Sequence, residues 1–179
     1  MVSQFESSHA VKLLGDLDFN FPIGTHAIGR LDAKSEGLLL LTTNKKITRL
    51  LFQGVKAHPR VYLVQLKGLI TDSSIEQLCE GVEFIIKNGE MYTSLPCKVS
   101  RATELLKENI DLKNFHKFSW IEIILNEGKY HQVRKMVKAV GHRCLRLIRI
   151  RIENISLGEM QPGEVVEISE ETFFTSLKL

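Results

Sequence analysis

Gly29-Arg30-Leu31-Asp32-Ala33-Lys34-Ser35-Glu36-Gly37-Leu38-Leu39-Leu40-Leu41-Thr42 runs from a polar approach into four consecutive leucines. The apolar run is short and bounded by Gly37 and by Thr42-Thr43-Asn44, which reads as a strand buried on both faces. Asp32 then lies on a loop where the chain passes into the sheet. Asn44 caps a following helix whose apolar stripe is Ile47, Leu50 and Leu51, ending near Gly54. Arg60–Lys67 reads as a second strand, with Tyr62, Val64 and Leu66 sharing one face.

Further along, a helix opening at Ser73 has Glu76 in place for a capping box and a stripe of Ile75, Leu78, Cys79 and Val82. Asn88-Gly89, between Val82–Lys87 and Glu90–Thr93, marks a hairpin. Arg101–Lys117 is polar and helix-prone, and Trp120–Leu125 is a strand. From His131 to Val140 the residues Val133, Met136, Val137 and Val140 form one helical stripe that Gly141 closes. Cys144–Ile152 is strand-like but changes phase. A bulge near Leu147-Ile148 would set Arg146, Arg149 and Arg151 on a single face. Helices and strands without strict βαβ alternation indicate an α+β fold with a largely antiparallel sheet.

The chain has 179 residues, enough for one domain or two closely packed subdomains with a substantial core. Its composition, 44% hydrophobic and 25% charged, excludes wholesale disorder and fibrous repeats. The four-leucine run falls far short of the ~20 residues of a membrane span. The N-terminus lacks the basic and apolar regions of a secretory signal. Cys79, Cys97 and Cys144 cannot all pair and have no zinc spacing, so a reducing, cytoplasmic setting is expected.

Charge is unevenly distributed. Lys129, Arg134, Lys135, Lys138, Arg143, Arg146, Arg149 and Arg151 fall between Gly128 and Arg151 with no acid among them. Those eight positive charges, in a chain of net charge +3, leave −5 for the remainder. A basic segment on an acidic body is how a phosphate-binding footprint presents itself, although a solvated cationic face has the same composition.

No phosphate-cradling or dinucleotide glycine pattern occurs, and neither a zinc-protease motif nor a nucleophile elbow with a triad is present. An aspartate in the position of Asp32 commonly serves as a turn or cap residue, and Tyr62 on a strand commonly serves the core. Glu127 to Met136 is a loop leading into a helix N-terminus, where free backbone N–H groups and cations can meet an anion.

Together these stretches resemble the RsuA/RluB/RluE/RluF group of ribosomal RNA pseudouridine synthases. Gly29–Asn44 resembles the group's active-site motif and Arg60-Val61-Tyr62-Leu63-Val64 its tyrosine motif. Glu127-Gly128-Lys129, continuing through Gln132-Val133-Arg134-Lys135-Met136, is similar to its third motif. Leu145–Arg149 and the later Leu157…Gly163-Glu164 are similar to its C-terminal strand region. Ser35, and the lack of an S4-type domain, bring the RluE branch nearest.

The resemblance implies one pseudouridine synthase catalytic domain over residues 1–179, without the group's usual first strand and so with a shortened N-terminus. It implies Asp32, Tyr62 and Arg134 as catalytic residues, the guanidinium of Arg134 holding Asp32 ionised and Tyr62 stacking on the uracil. Arg30, Lys129, Gln132, Arg146 and Arg149 are the expected RNA contacts. Arg60 stands where lysine is common in the group and His131 where arginine is common. No metal or redox cofactor is implied. The implied partner is ribosomal RNA, of the large subunit in the RluE branch, for a monomer that does not engage membranes. A non-catalytic rRNA-binding or ribosome-assembly protein on the same scaffold is the competing reading, and a carboxylate in a phosphate-facing cleft speaks against it. A glycosidase would require a second carboxylate, for which Glu36 is the nearest and a poor candidate.

Overall fold

The computed structural model describes residues 2–53, 57–102 and 118–178. In chain order its elements are a 3-10 turn at Leu14–Asp16, then β1 (His26–Ala27), β2 (Glu36–Gly37), β3 (Leu41–Thr42) and α1 (Lys46–Gln53). There follow β4 (Arg60–Lys67), α2 (Asp72–Glu80), β5 (Glu83–Ile85), β6 (Met91–Thr93), β7 (Lys98–Arg101) and β8 (Phe118–Leu125). The chain continues through α3 (Gln132–Ala139), β9 (Cys144–Ile152), β10 (Ile155–Ser156) and α4 (Glu170–Leu177). The fold is α+β with a mixed, mostly antiparallel sheet, as the sequence indicates.

Strands β10-β9-β4-β8-β7 form the main sheet by antiparallel pairing, and β2 adds a short parallel pairing to β9. Both faces of β4 are covered because its alternate residues are apolar. Val64 and Leu66 pack with Ile121, Ile123, Leu125, Val133, Met136 and Val137 beneath α2 and α3, and Tyr62 packs against that cluster. On the other face Leu63 packs with Ala102, Trp120 and Ile148. A third cluster joins Ile28, Leu38, Leu40, Ile47 and Leu51 to Ile152 and Leu177, so α1 and α4 pack around the Asp32 loop.

Several sequence expectations are corrected. The leucine run is not one strand: β2 pairs with β9, β3 pairs with β1, and Leu38–Leu40 bridge the two pairs. Leu38 and Leu40 are buried while Leu39 and Leu41 are only half-buried, so the run serves one core rather than two faces. Asn44 does cap α1, its side-chain oxygen accepting from the Lys46 N–H at 3.0 Å, but Leu50 is 46% exposed. Helix α2 is capped by Thr71, which accepts from the Ser74 N–H, so the Ser73–Glu76 box does not form. The helix expected within Arg101–Lys117 falls on residues 103–117, outside those described, as does the end of α1 near Gly54; Arg101 itself closes β7. The Asn88-Gly89 hairpin is present, joining β5 to β6.

The irregularities in β9 also lie elsewhere than expected. Pairing is regular from Arg146 to Arg149, and β9 carries its extra residues at Leu145 and Ile150, opposite Gln65/Leu66 and Val61/Tyr62. Arg149 therefore stands opposite Tyr62, whereas Arg146 and Arg151 stand opposite Gln65 and Val61 on the other face. The three arginines do not share a face.

Candidate active site

The Asp32 loop is held from three directions. On its N-terminal side, the Ser3 hydroxyl accepts from the Leu31 N–H at 3.0 Å, and the Ser35 N–H donates to the Asp32 carbonyl at 2.8 Å. At its C-terminal end the Leu38 N–H donates to the Arg149 carbonyl at 2.7 Å, and Arg149 Nε returns a bond to the Leu38 carbonyl at 2.8 Å. Arg146 grips Glu36 with two parallel bonds of 3.0 and 2.7 Å, the fork geometry a guanidinium makes with a carboxylate. Gly37 permits this approach. Its φ is +98°, and a Cβ there would lie 2.3 Å from the Arg149 carbonyl oxygen.

From the third direction comes α3. His131, in the left-handed region at φ 55°, precedes the helix and brings Nε2 to 3.6 Å from Asp32 Oδ1. The Asp32 side chain is 31% exposed, open to solvent yet not freely hydrated. Arg134 reaches the same loop, but its guanidinium donates to the Lys34 carbonyl and, at 3.5 Å, to Cys144 Sγ. The expected Arg134–Asp32 ion pair is not among the described contacts; His131 takes that place, and Arg134 fastens the backbone two residues further on. Helical geometry accounts for this, since residues 131 and 134 lie almost one turn apart on the same side of α3.

Tyr62 is half-buried on β4 and stands directly opposite Arg149 of β9 in the sheet register. Burial pushes the Arg149 guanidinium down from its ordinary range, Tyr62 opposes that drop, and the neighbouring Arg60 charge adds to it. The distant stretches thus converge on one loop: α3 through His131 and Arg134, β9 through Arg146 and Arg149, and β4 through the cross-strand pairing of Tyr62 with Arg149.

The expected RNA contacts divide. Arg30 and Lys129 are exposed. Lys129 Nζ sits 4.6 Å above the Tyr92 ring. Gln132 is buried and closes the turn before α3: it accepts from the Lys129 N–H at 2.8 Å and donates to Glu127, so it is a structural brace. Glu127 also accepts from the Tyr92 hydroxyl and from the Leu95 N–H. The bond to Glu127, with burial adding to it, pushes the Tyr92 hydroxyl up to about 12. Arg149 is 3% exposed and Arg146 is engaged by Glu36, so both brace the Asp32 loop. That pairing also leaves Glu36 committed, which disfavours the glycosidase reading.

Sequence reasoning noted His131 only as a departure and missed its contact with Asp32, because a left-handed residue has no periodic signature. It also missed Tyr130, whose ring is 52% exposed and stacks on His131 at 3.9 Å. Beside it a hollow of about 530 Å³ is lined by Ile86, Lys87, Asn88, Gly128, Lys129 and Tyr130. A larger cavity of about 1960 Å³ includes Val61, Leu63 and Ile148 in its lining, on the face of β4 away from Tyr62; Asp32 and Tyr62 do not line it.

Against known proteins, residues 16–139 match the family described as RNA pseudouridylate synthase. The chain belongs to this family. Among its relatives is ribosomal large subunit pseudouridine synthase E of Vibrio vulnificus, 34% identical over 94% of this chain and 70% of that protein. The protein of the same name from Xanthomonas campestris pv. campestris is 31% identical, over 92% of this chain and 88% of its own. Ribosomal small subunit pseudouridine synthase A of Escherichia coli is 29% identical over 82% of this chain and 56% of that protein. A pseudouridylate synthase crystal structure shares the fold, with a TM-score of 0.72 at 24% identity, covering 88% of this chain and 63% of that one. An RNA pseudouridylate synthase is an isomerase: the N1–C1′ bond of uridine breaks, a C5–C1′ bond forms, and the C5 proton is exchanged for one at N1. Among the described residues no helix is long and apolar enough to cross a membrane.

Proposed function

We propose that this pseudouridylate synthase isomerises a specific uridine in ribosomal RNA of the large subunit, acting as a single catalytic domain over residues 1–179, a cytoplasmic monomer. The observation that carries the reading is Asp32, a partly open carboxylate on a loop braced from two elements and met by His131 at 3.6 Å. The imidazole of His131 beside it orients the carboxylate. Asp32 can then act at the ribose, at the base or in promoting a glycal-type intermediate. Tyr62 offers its ring to the uracil and its hydroxyl to proton transfer at C5. Arg134 sets the loop on which Asp32 stands.

The target nucleotide must leave its stack to reach such a site, at a cost of about a few kcal/mol. The exposed ring of Tyr130 and the side chains of Arg30, Lys87 and Lys129 suit that role, since single-stranded RNA is gripped by stacking and by phosphate contact. The names of the relatives from Vibrio and Xanthomonas support a large-subunit substrate. A non-catalytic rRNA-binding role is not favoured, because it gives no use to the buttressed carboxylate.

The test is a pseudouridine map of rRNA from cells lacking the protein, complemented with wild type or with Asp32→Asn. One large-subunit position should lose its pseudouridine, regain it with wild type, and stay unmodified with Asp32→Asn, which still binds the RNA. An unchanged map in the deletion strain, or restoration by Asp32→Asn, would overturn the reading.

A further inference from the structure

Arg149 is the least expected residue of the site. It is 3% exposed in the interior of β9, yet among the described residues no carboxylate pairs with it. Its Nε is committed to the Leu38 carbonyl at 2.8 Å, and its Nη2 is buried without a partner. The groups acting on its charge are the Tyr62 hydroxyl, which supports it, and Arg60, which opposes it. A buried guanidinium so sparsely matched is costly, and a cheaper apolar residue would pack between Ile148 and Ile150. Its place in the register explains what it gains, because Arg149 stands directly opposite Tyr62 while its backbone pairs with Gly37.

We propose that Arg149 is a positioning residue that locks the Tyr62 hydroxyl and the Leu38 end of the Asp32 loop into one fixed relation. The proposal rests on the function given above, in which ring and carboxylate meet the same nucleotide. Tyr62 and Arg149 are cross-strand partners, and because a guanidinium donates and never accepts, a bond between them uses the Tyr62 oxygen as acceptor. The phenol hydrogen is thereby left to point elsewhere. The rigid fork of arginine can hold the Leu38 carbonyl and the Tyr62 oxygen together, whereas lysine offers a flexible point charge.

The experiment compares wild type, Tyr62→Phe, Arg149→Lys and the double variant in single-turnover pseudouridine formation on an rRNA transcript, with RNA affinity and melting temperature measured alongside. Arg149→Lys should slow turnover by about 10²-fold, the effect of misplacing a reacting group by roughly an ångström, with RNA affinity nearly unchanged. The double variant should be no slower than the slower single variant. Losses that multiply independently, or a loss that disappears once the folded fraction is counted, would overturn the proposal. The ¹³C-tyrosine NMR signal of Tyr62 tests position without turnover: it should move in Arg149→Lys, and an unmoved signal would also overturn it. Should the lysine variant fail to fold, Arg149→Gln, which keeps a donor for Leu38 but no charge, takes its place in every measurement. A wild-type enzyme without activity on any rRNA would instead strike at the proposed function, leaving the NMR result to decide the role of Arg149.

Discussion

Replacing Gly37 with alanine tests the junction that holds the Asp32 loop. The added Cβ would meet the Arg149 carbonyl oxygen at 2.3 Å and its nitrogen at 2.8 Å, both backbone atoms within the sheet, and φ is +98°. An L-residue at such a φ is strained by about 1–3 kcal/mol. Forcing a methyl against atoms that cannot rotate aside adds about 1–3 kcal/mol. The total is about 2–6 kcal/mol, against a stability of about 5–15 kcal/mol for an ordinary domain. Gly89, at φ +87° with nothing within 4 Å of its Cβ position, supplies the control, because alanine there carries the dihedral strain alone. Urea unfolding should show Gly37→Ala losing clearly more than Gly89→Ala. If the loop detaches from β9 instead, unfolding would change little while pseudouridine formation collapses. Gly37→Ala with the unfolding midpoint of Gly89→Ala and full turnover would refute the reasoning.

Three further outcomes are expected. Glu153 is buried, which alone would push its carboxyl up, but bonds from Lys178 and His58 outweigh burial and hold it below its usual value of 4.5. Its stabilising effect is therefore present above the unfolded value and lost as pH falls through the lower folded one; acid unfolding of Glu153→Gln should show a weaker pH dependence below about 4.5, and an unchanged slope would contradict this. Leu177→Ala, which empties a fully buried position between α4 and the Asp32-loop core, should cost about 2–5 kcal/mol in urea unfolding; a loss under 1 kcal/mol would show that α4 is not docked there. Lys129→Ala should weaken RNA binding and reduce the slope of log affinity against log salt by about one, measured by filter binding across salt concentrations, whereas an unchanged slope would remove Lys129 from the phosphate contacts.

Much of the fold was legible because it is written in periodicity. The alternation of Tyr62, Val64 and Leu66, and the stripe Val133, Met136 and Val137, identify β4 and α3 directly. Four leucines in succession carry no such phase, so their division between two strand pairs depends on β1 and β9, which lie elsewhere in the chain. The same limit governed the site. The family resemblance pointed to Asp32, Tyr62 and Arg134, but which side chain faces Asp32 is decided by one left-handed residue and less than a turn of helix. Arg146 and Arg149 read as RNA-facing because charge normally seeks solvent. Only the actual positions of the β9 bulges show that one grips Glu36 and the other lies buried against Tyr62.

The bond from Arg149 to Leu38 spans 111 positions in the chain. While the protein is being made, the segment bearing Asp32 leaves the ribosome long before the strand that will secure it. A chain stopped short of residue 149 has every side chain of the reactive motif but lacks the two bonds that clasp its Leu38 end. The last clasp on the loop is thus made only after β9 has been synthesised.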